Sequence, residues 1–393
     1  MNQQNRQART VHHLEPETWI SLVFAVLALA WFSAYPFFYD DAFISLRISR
    51  NMAEGLGPFH NLEEKVQTNT SLLYPFLVAP FQLLDRFRAV QLNTAFDFLL
   101  AFLIVRQLWI ALRQHSHYPK LPVRGKVVLA VWINLAFYAN RLLVPGMETQ
   151  LYMLALLLTW NAFQQQKPYA FIWGFACSFI RPEGALLAIL FWITGRWTFQ
   201  TRRISLLHGL ALGMVYLSLQ WYLFGNLIPH TIAVKAQIQP EPGHSLWHFV
   251  VNVLLPYRYP LVLLTHILGI AYLAQHFRKS PYRTLSLFLM VYALVFCVLA
   301  GGNAFFGWYQ SPLKLFLLLA AGWQCLEWWP GWEPKSALIS SGLFLATVPV
   351  LTEQVRYRQE GIFQAAKDLA QLTQGKSLTA TCEPMGILGY FNP

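Results

Sequence analysis

Residues 19–42 read WISLVFAVLALAWFSAYPFFYDDA. Trp19 to Phe38 is one apolar run, long enough to cross a bilayer as a helix. Tyr39-Asp40-Asp41-Ala42 follows at once, so two adjacent carboxylates stand where the run ends. Ionisable groups at a membrane face are costly to keep and commonly mark a functional site. A solvated loop that merely begins with acids is the plain alternative, and the rest of the chain decides between them.

Runs of the same kind recur down most of the 393 residues. The chain is 56% hydrophobic and 12% charged, with 30 Phe, 17 Tyr and 15 Trp. A soluble domain carries about twice that charge fraction. The runs are continuous and lack period-two alternation, which predicts membrane helices and argues against a barrel. The formal charge of +11 invites a nucleic-acid partner, but the basic residues fall in short clusters between apolar runs, as cytoplasmic loops require. No nucleic-acid partner is expected. The four cysteines form no disulfide framework or metal-ligand spacing.

Lengths and Lys/Arg bias predict an all-α polytopic protein of about eleven transmembrane helices. The N-terminus, with Arg6 and Arg9, is expected in the cytoplasm, and Asp40 and Asp41 outside. Leu72 to Leu84 carries Pro75 and Pro80 and is too short to cross, so it reads as an interfacial or re-entrant segment. The spans that follow run from Ala89 to Leu112, Val127 to Leu143 and Leu151 to Phe163, then two that meet at Arg181-Pro182-Glu183-Gly184. The rest are Leu206 to Phe224, Leu261 to Gln275, Leu285 to Ala300, Pro312 to Trp328 and Ala337 to Leu351. Residues 1–352 form the membrane module, with an outer loop over 39–88. Residues 353–393 begin a small extracytoplasmic segment.

After Asp41, Ile44, Ile48 and Met52 repeat every four residues, while Arg47, Arg50 and Glu54 cluster on another face. That spacing predicts an amphipathic helix on the membrane surface, stopped by Gly55. Two acids and two arginines then sit at headgroup depth, where an arginine can clamp a lipid phosphate; ordinary snorkelling explains Arg47 and Arg50 equally well. Further outer polar groups come from separate loops, among them Glu148, Arg181, Glu183, Lys235, Glu241 and Arg258. The aromatic stretch that ends in Trp308-Tyr309 reads as a belt anchor or a sugar-stacking surface.

Asp40-Asp41-Ala42-Phe43-Ile44-Ser45, then Arg47, Arg50-Asn51 and Gly55-Leu56-Gly57 with Asn61, resemble the opening of bacterial GT-C class glycosyltransferases. The nearest in kind are polyprenyl-phosphate-dependent arabinofuranosyl- and mannosyltransferases. The resemblance continues through Gly146-Met147-Glu148-Thr149, Arg181-Pro182-Glu183-Gly184, Phe224-Gly225-Asn226-Leu227-Ile228-Pro229-His230-Thr231 with Lys235, and Ile387-Leu388-Gly389-Tyr390-Phe391. Gln67-Thr68-Asn69-Thr70-Ser71 departs from the pattern, since Glu, Gly and Tyr of the family are replaced there.

The resemblance implies a GT-C bundle in the bacterial inner membrane that passes a sugar from a polyprenyl-phosphate donor to a glycan or lipid acceptor at the outer face. Asp40 and Asp41 are the catalytic candidates. A carboxylate takes the acceptor proton, and cations among Arg47, Arg50, Arg181, His230 and Lys235 receive the leaving phosphate. Asp40 is the first choice as base, because Asp41 can instead cap the helix. Both can also hold a divalent cation (Mg, Mn or Ca). Glu148 matches the second acidic position of the class, while a helix-dipole role explains it as well. Arg181 and Glu183 can pair across their turn. A transporter of a lipid-linked sugar is the alternative reading; it should show repeated halves and midplane charges, and the sequence shows no such repeat.

Overall fold

Long apolar stretches without alternation satisfy their backbone groups internally only as helices. A computed structural model of the protein describes residues 15–34, 39–62, 65–195, 197–230, 253–256, 259–295 and 307–328. Among these there are twelve α-helices and no strand. They are α1 (Pro16–Ala34), α2 (Asp40–Ala53), α3 (Leu73–Val78), α4 (Arg86–Arg113), α5 (Val123–Ala139) and α6 (Thr149–Gln164). Then come α7 (Ala170–Ala176), α8 (Ala185–Thr194), α9 (Phe199–Phe224), α10 (Pro260–His276), α11 (Tyr282–Leu294) and α12 (Gly307–Trp328). Lys235, Glu241, Arg258, the run Ala337 to Leu351 and the segment 353–393 lie outside the described residues.

Local signals set several boundaries. Asp85 caps α4, its side chain accepting the N–H groups of Phe87 and Arg88 at 3.1 and 3.0 Å. Thr198 caps α9 in the same way through Thr201 N–H at 3.1 Å. Gly225, at φ +69°, ends α9 in the left-handed conformation that glycine adopts without strain. Three helices, α1, α4 and α9, are long and apolar enough to cross a membrane. On α9, Leu206, Leu207, Leu210, Met214, Leu217 and Trp221 are exposed. An apolar face of that size suits lipid better than water, and the protein has the character of a helical membrane protein.

Contacts between elements define two ends of the bundle. Arg113 on α4 meets Glu17 on α1 at 2.9 Å. The histidine of the α10 C-terminus, His276, meets Glu327 at the α12 C-terminus at 3.0 Å. These groups mark the Glu17 end. At the other end, the Asp40 end, Tyr39 packs its ring edge-on to Trp308 at the start of α12, with centroids 4.9 Å apart. Gln67 meets Gln220 near the end of α9 here as well. α10 and α12 therefore run in the same direction. They approach closely: a Cβ on Gly269 would lie 2.4 Å from the Leu317 carbonyl oxygen. Small residues at such crossings let helix backbones pack tightly within a membrane. Buried rings fill the interior beside them, with Trp160 against both Phe316 and Trp323.

The Leu72–Leu84 stretch forms α3 and a 3-10 turn over Ala79–Leu83, not a crossing helix. α2 differs from its expected placement. Its buried residues are Ala42, Phe43, Ser45, Leu46, Ile48 and Ser49, whereas Ile44 and Met52 are only half-buried. The helix packs against α3 and the 3-10 turn, and protein contacts set its inner face in place of a lipid-facing stripe.

Candidate functional site

Asp40 and Asp41 occupy the first two positions of α2. The N-cap position belongs to Tyr39, which makes no side-chain cap hydrogen bond. Asp41 is therefore not the cap, contrary to expectation; it is exposed in the first turn, where a carboxylate is favoured by the helix dipole. Arg47 is half-buried on the same helix, and burial holds its guanidinium below its ordinary value. Arg50 is committed elsewhere. It pairs with Glu54 and donates to the carbonyl oxygens of Gln82 and Leu84, so it ties the end of α2 to the 3-10 turn. Those contacts engage its Nε and Nη1. Asn51 folds the following loop back by donating to the Phe59 and His60 carbonyls at 2.7 and 3.2 Å. Gly55 and Gly57, at φ +76° and +99°, allow that reversal.

The buried centre of the Asp40 end is Arg181, 1% exposed. It stands in the break between α7 and α8, where Pro182 opens a 3-10 turn. Its Nε donates to Glu148 Oε1 at 3.0 Å, and its Nη1 lies 3.6 Å from Glu183 Oε1. The expected local pair with Glu183 thus exists, but Glu148 is the closer partner. Burial works against the charge on Arg181, and the two glutamates outweigh it and hold the guanidinium above its ordinary value. The guanidinium lies over the ring of Tyr309 at 4.7 Å and faces Tyr152 at 5.8 Å. Nη1 reaches the Trp308 carbonyl at 3.5 Å. Trp308 and Tyr309 are buried and serve here as walls around Arg181, not as an interfacial belt.

Thr70 Oγ1 donates to Glu148 Oε1 at 3.2 Å, which brings the departing stretch Gln67 to Ser71 into the same cluster. Gln67 Oε1 accepts from Gln220 Nε2 at 2.6 Å. Several buried polar atoms here have no hydrogen-bond partner among the described residues: Gln67 Nε2, Asn69 Nδ2, Thr149 Oγ1, Tyr152 OH and Gln220 Oε1. Such atoms are rare in finished interiors and point to a polar occupant. No three His, Cys, Asp or Glu side chains come together as a metal-binding group among the described residues.

Sequence reading passed over Asp97, a buried acid inside α4. Its Oδ2 accepts the Gly146 N–H at 2.6 Å and Asn93 Nδ2 at 3.1 Å, and its Oδ1 accepts from Tyr74 OH at 3.4 Å. Gly146 has φ +82° and lies two residues before Glu148. Asp97 therefore joins α3, α4 and the loop that presents Glu148. The signal was an acid within an apolar run, which by itself marks a position with a task. His230 follows the end of α9, with Nε2 at 2.6 Å from Asn226 Nδ2. Lys235 lies outside the described residues.

No protein-family model matches the chain, and no curated protein matches it in sequence. The geometry of this end of the bundle is what a functional reading has to work from.

Proposed function

We propose that this protein is an inverting GT-C-type membrane glycosyltransferase, which moves a sugar from a polyprenyl-phosphate donor to a hydroxyl acceptor on a glycan or lipid. One observation carries the reading. Glu148 and the pair Arg181 and Glu183, picked out by two separate motifs, form a single cluster around the buried Arg181. Through the Trp308 carbonyl and the Tyr39–Trp308 ring contact, that cluster lies beside the start of α2, where Asp40 and Asp41 stand. On this reading about eleven spans cross a bacterial inner membrane, with the Glu17 end cytoplasmic and the Asp40 end outside.

Asp40 acts as general base. It takes the acceptor hydroxyl proton while the acceptor oxygen bonds to the anomeric carbon. The bond from that carbon to the donor phosphate breaks, and its electron pair leaves with the phosphate, which needs cations more than a proton. Arg47 and His230 are the described cations assigned to it, and Lys235, outside the described residues, is assigned to it from the sequence. Attack from the opposite face without a covalent intermediate inverts the centre. Glu148, Arg181 and Glu183 hold the floor of the site and orient Thr70. A divalent cation held by the aspartates is compatible with this scheme, and no step depends on it.

Purified protein incubated with a panel of polyprenyl-phosphate sugars and hydroxyl acceptors should transfer one of the sugars. Asp40→Asn keeps the shape and loses basicity, so turnover should fall by about a hundredfold to ten-thousandfold while the protein still folds and binds donor. Transfer from a nucleotide sugar without a lipid carrier, or turnover within a few-fold of wild type in both Asp40→Asn and Asp41→Asn, would sink the proposal. In the second case, movement of a lipid-linked sugar without transfer becomes the better reading.

A further inference from the structure

His266 on α10 and Lys314 on α12 each stand three residues, almost one helical turn, nearer the Asp40 end than the Gly269–Leu317 crossing. The two helices run in the same direction, so the two residues stand at one level, within electrostatic range of each other. Lys314 is half-buried and seven residues past the start of α12. At a rise of 1.5 Å per residue this is about 10 Å into the bundle.

Among the described residues Lys314 has no carboxylate partner. The charged side chain that acts on it among the described residues is Arg141, which repels it. Arg141 follows Asn140, whose Oδ1 lies 2.9 Å from His266 Nε2. The Arg141 guanidinium lies over the Tyr259 ring at 5.5 Å, with Nη2 at 3.5 Å from the Tyr259 hydroxyl. Two cations are thus gathered beside a histidine and a phenol. Cations inside a helical bundle ordinarily pair with acids or line a path for charged cargo. The N-termini of α10 and α12 point to this same end and add positive potential.

We propose that Lys314 and Arg141, with His266 and Tyr259 beside them, bind the phosphate group of a membrane lipid. Lys314 supplies a compact charge and Arg141 a planar fork that matches two phosphate oxygens. The Tyr259 hydroxyl can donate to a third. The depth suits a headgroup drawn into the rim of the bundle with its chain left among lipid. The site does not rest on the transferase reading, whose leaving phosphate is assigned to other cations.

The test titrates full-length protein in detergent with decaprenyl phosphate, decaprenol and inorganic phosphate, followed by microscale thermophoresis, with melting recorded for each variant. Wild type should bind decaprenyl phosphate at least about tenfold more tightly than decaprenol, as expected for charge-assisted hydrogen bonds. Lys314→Gln should lose at least about tenfold for decaprenyl phosphate, leave decaprenol unchanged, and melt at or above wild type, because an uncompensated charge has been removed. Lys314→Arg should keep most of the binding, and Arg141→Gln, on an exposed side chain, should weaken it less. Binding by Lys314→Gln within twofold of wild type overturns the site. So does a fall in melting temperature that Lys314→Arg fails to rescue, which would mark a packing residue. Inorganic phosphate bound as tightly as decaprenyl phosphate would replace the lipid by a free anion. If sugar transfer is never seen but the Lys314 dependence holds, only the transferase reading fails.

Discussion

Each end of the bundle has a group of two glutamates and one arginine, and the two groups serve different ends. At the Glu17 end, Arg113 pairs with Glu15 and with Glu17, whose carboxylate also accepts from the Tyr118 hydroxyl. The Arg113 side chain is 32% exposed and Glu15 is 52% exposed, so water shares the charge of that pair, while Glu17 is buried. The group ties α1, α4 and the short turn after α4 together. At the Asp40 end, Arg181 is 1% exposed and lies between two tyrosine rings, and its glutamates are held by a threonine and a broken helix. Identical chemistry makes a clamp where solvent reaches it. It makes the floor of a candidate site where two rings close over the arginine itself. Dielectric surroundings, more than residue identity, separate the two.

The largest break in this contrast should come from Arg181→Met. It leaves Glu148 and Glu183 without their counter-charge, and losing one partner of a buried pair costs about 3–5 kcal/mol. The cooperative melt in detergent should drop sharply, and adding Glu148→Gln should recover part of it. A single variant that melts like wild type would show that the cluster is not sealed from water.

Asp97→Ala should come next. It removes the acceptor for the Gly146, Asn93 and Tyr74 donors, and an unsatisfied buried group costs about 1–3 kcal/mol. Hydrogen exchange across residues 142–148 should speed up, whereas Asp97→Asn, which keeps an acceptor oxygen, should protect the loop nearly as well as wild type. Equal exchange in all three proteins would mean that Asp97 does not support the Glu148 loop.

Glu15→Gln should give the smallest change. The Arg113–Glu15 pair is partly exposed and Arg113 keeps the buried Glu17, so a loss of about 0–1 kcal/mol is expected from the same melt. A loss equal to that of Arg181→Met would erase the difference between the ends.

Particular residues show how far the sequence could be read. The run Leu261 to Gln275 became α10 at Pro260–His276, and Ala89 to Leu112 became α4 at Arg86–Arg113, started early by the Asp85 cap. Runs of this kind declare themselves, because length and apolarity are local. Glu148, Arg181 and Glu183 were legible as polar residues at loop positions, but their grouping was not. Arg181 and Glu183 are neighbours in the chain, whereas the closer partner, Glu148, is 33 residues away. Arg50 read as a candidate phosphate clamp, and the carbonyls it meets on Gln82 and Leu84 are invisible to a pattern of side chains. Asp97 and Lys314 were hidden in plain view, each inside an apolar run whose average character overrode a single charge.

Sequence by itself determined that the protein is helical, apolar over most of its length and furnished with acids at the close of its first run. Those properties follow from backbone hydrogen bonding and composition within a stretch of chain. Only the tertiary structure decided which charges are neutralised and which are left over. Thr70 reaches Glu148 across 78 residues and Arg181 reaches the Trp308 carbonyl across 127. Pairings of that span depend on how helices cross and which rings exclude water around them, and no local periodicity encodes either.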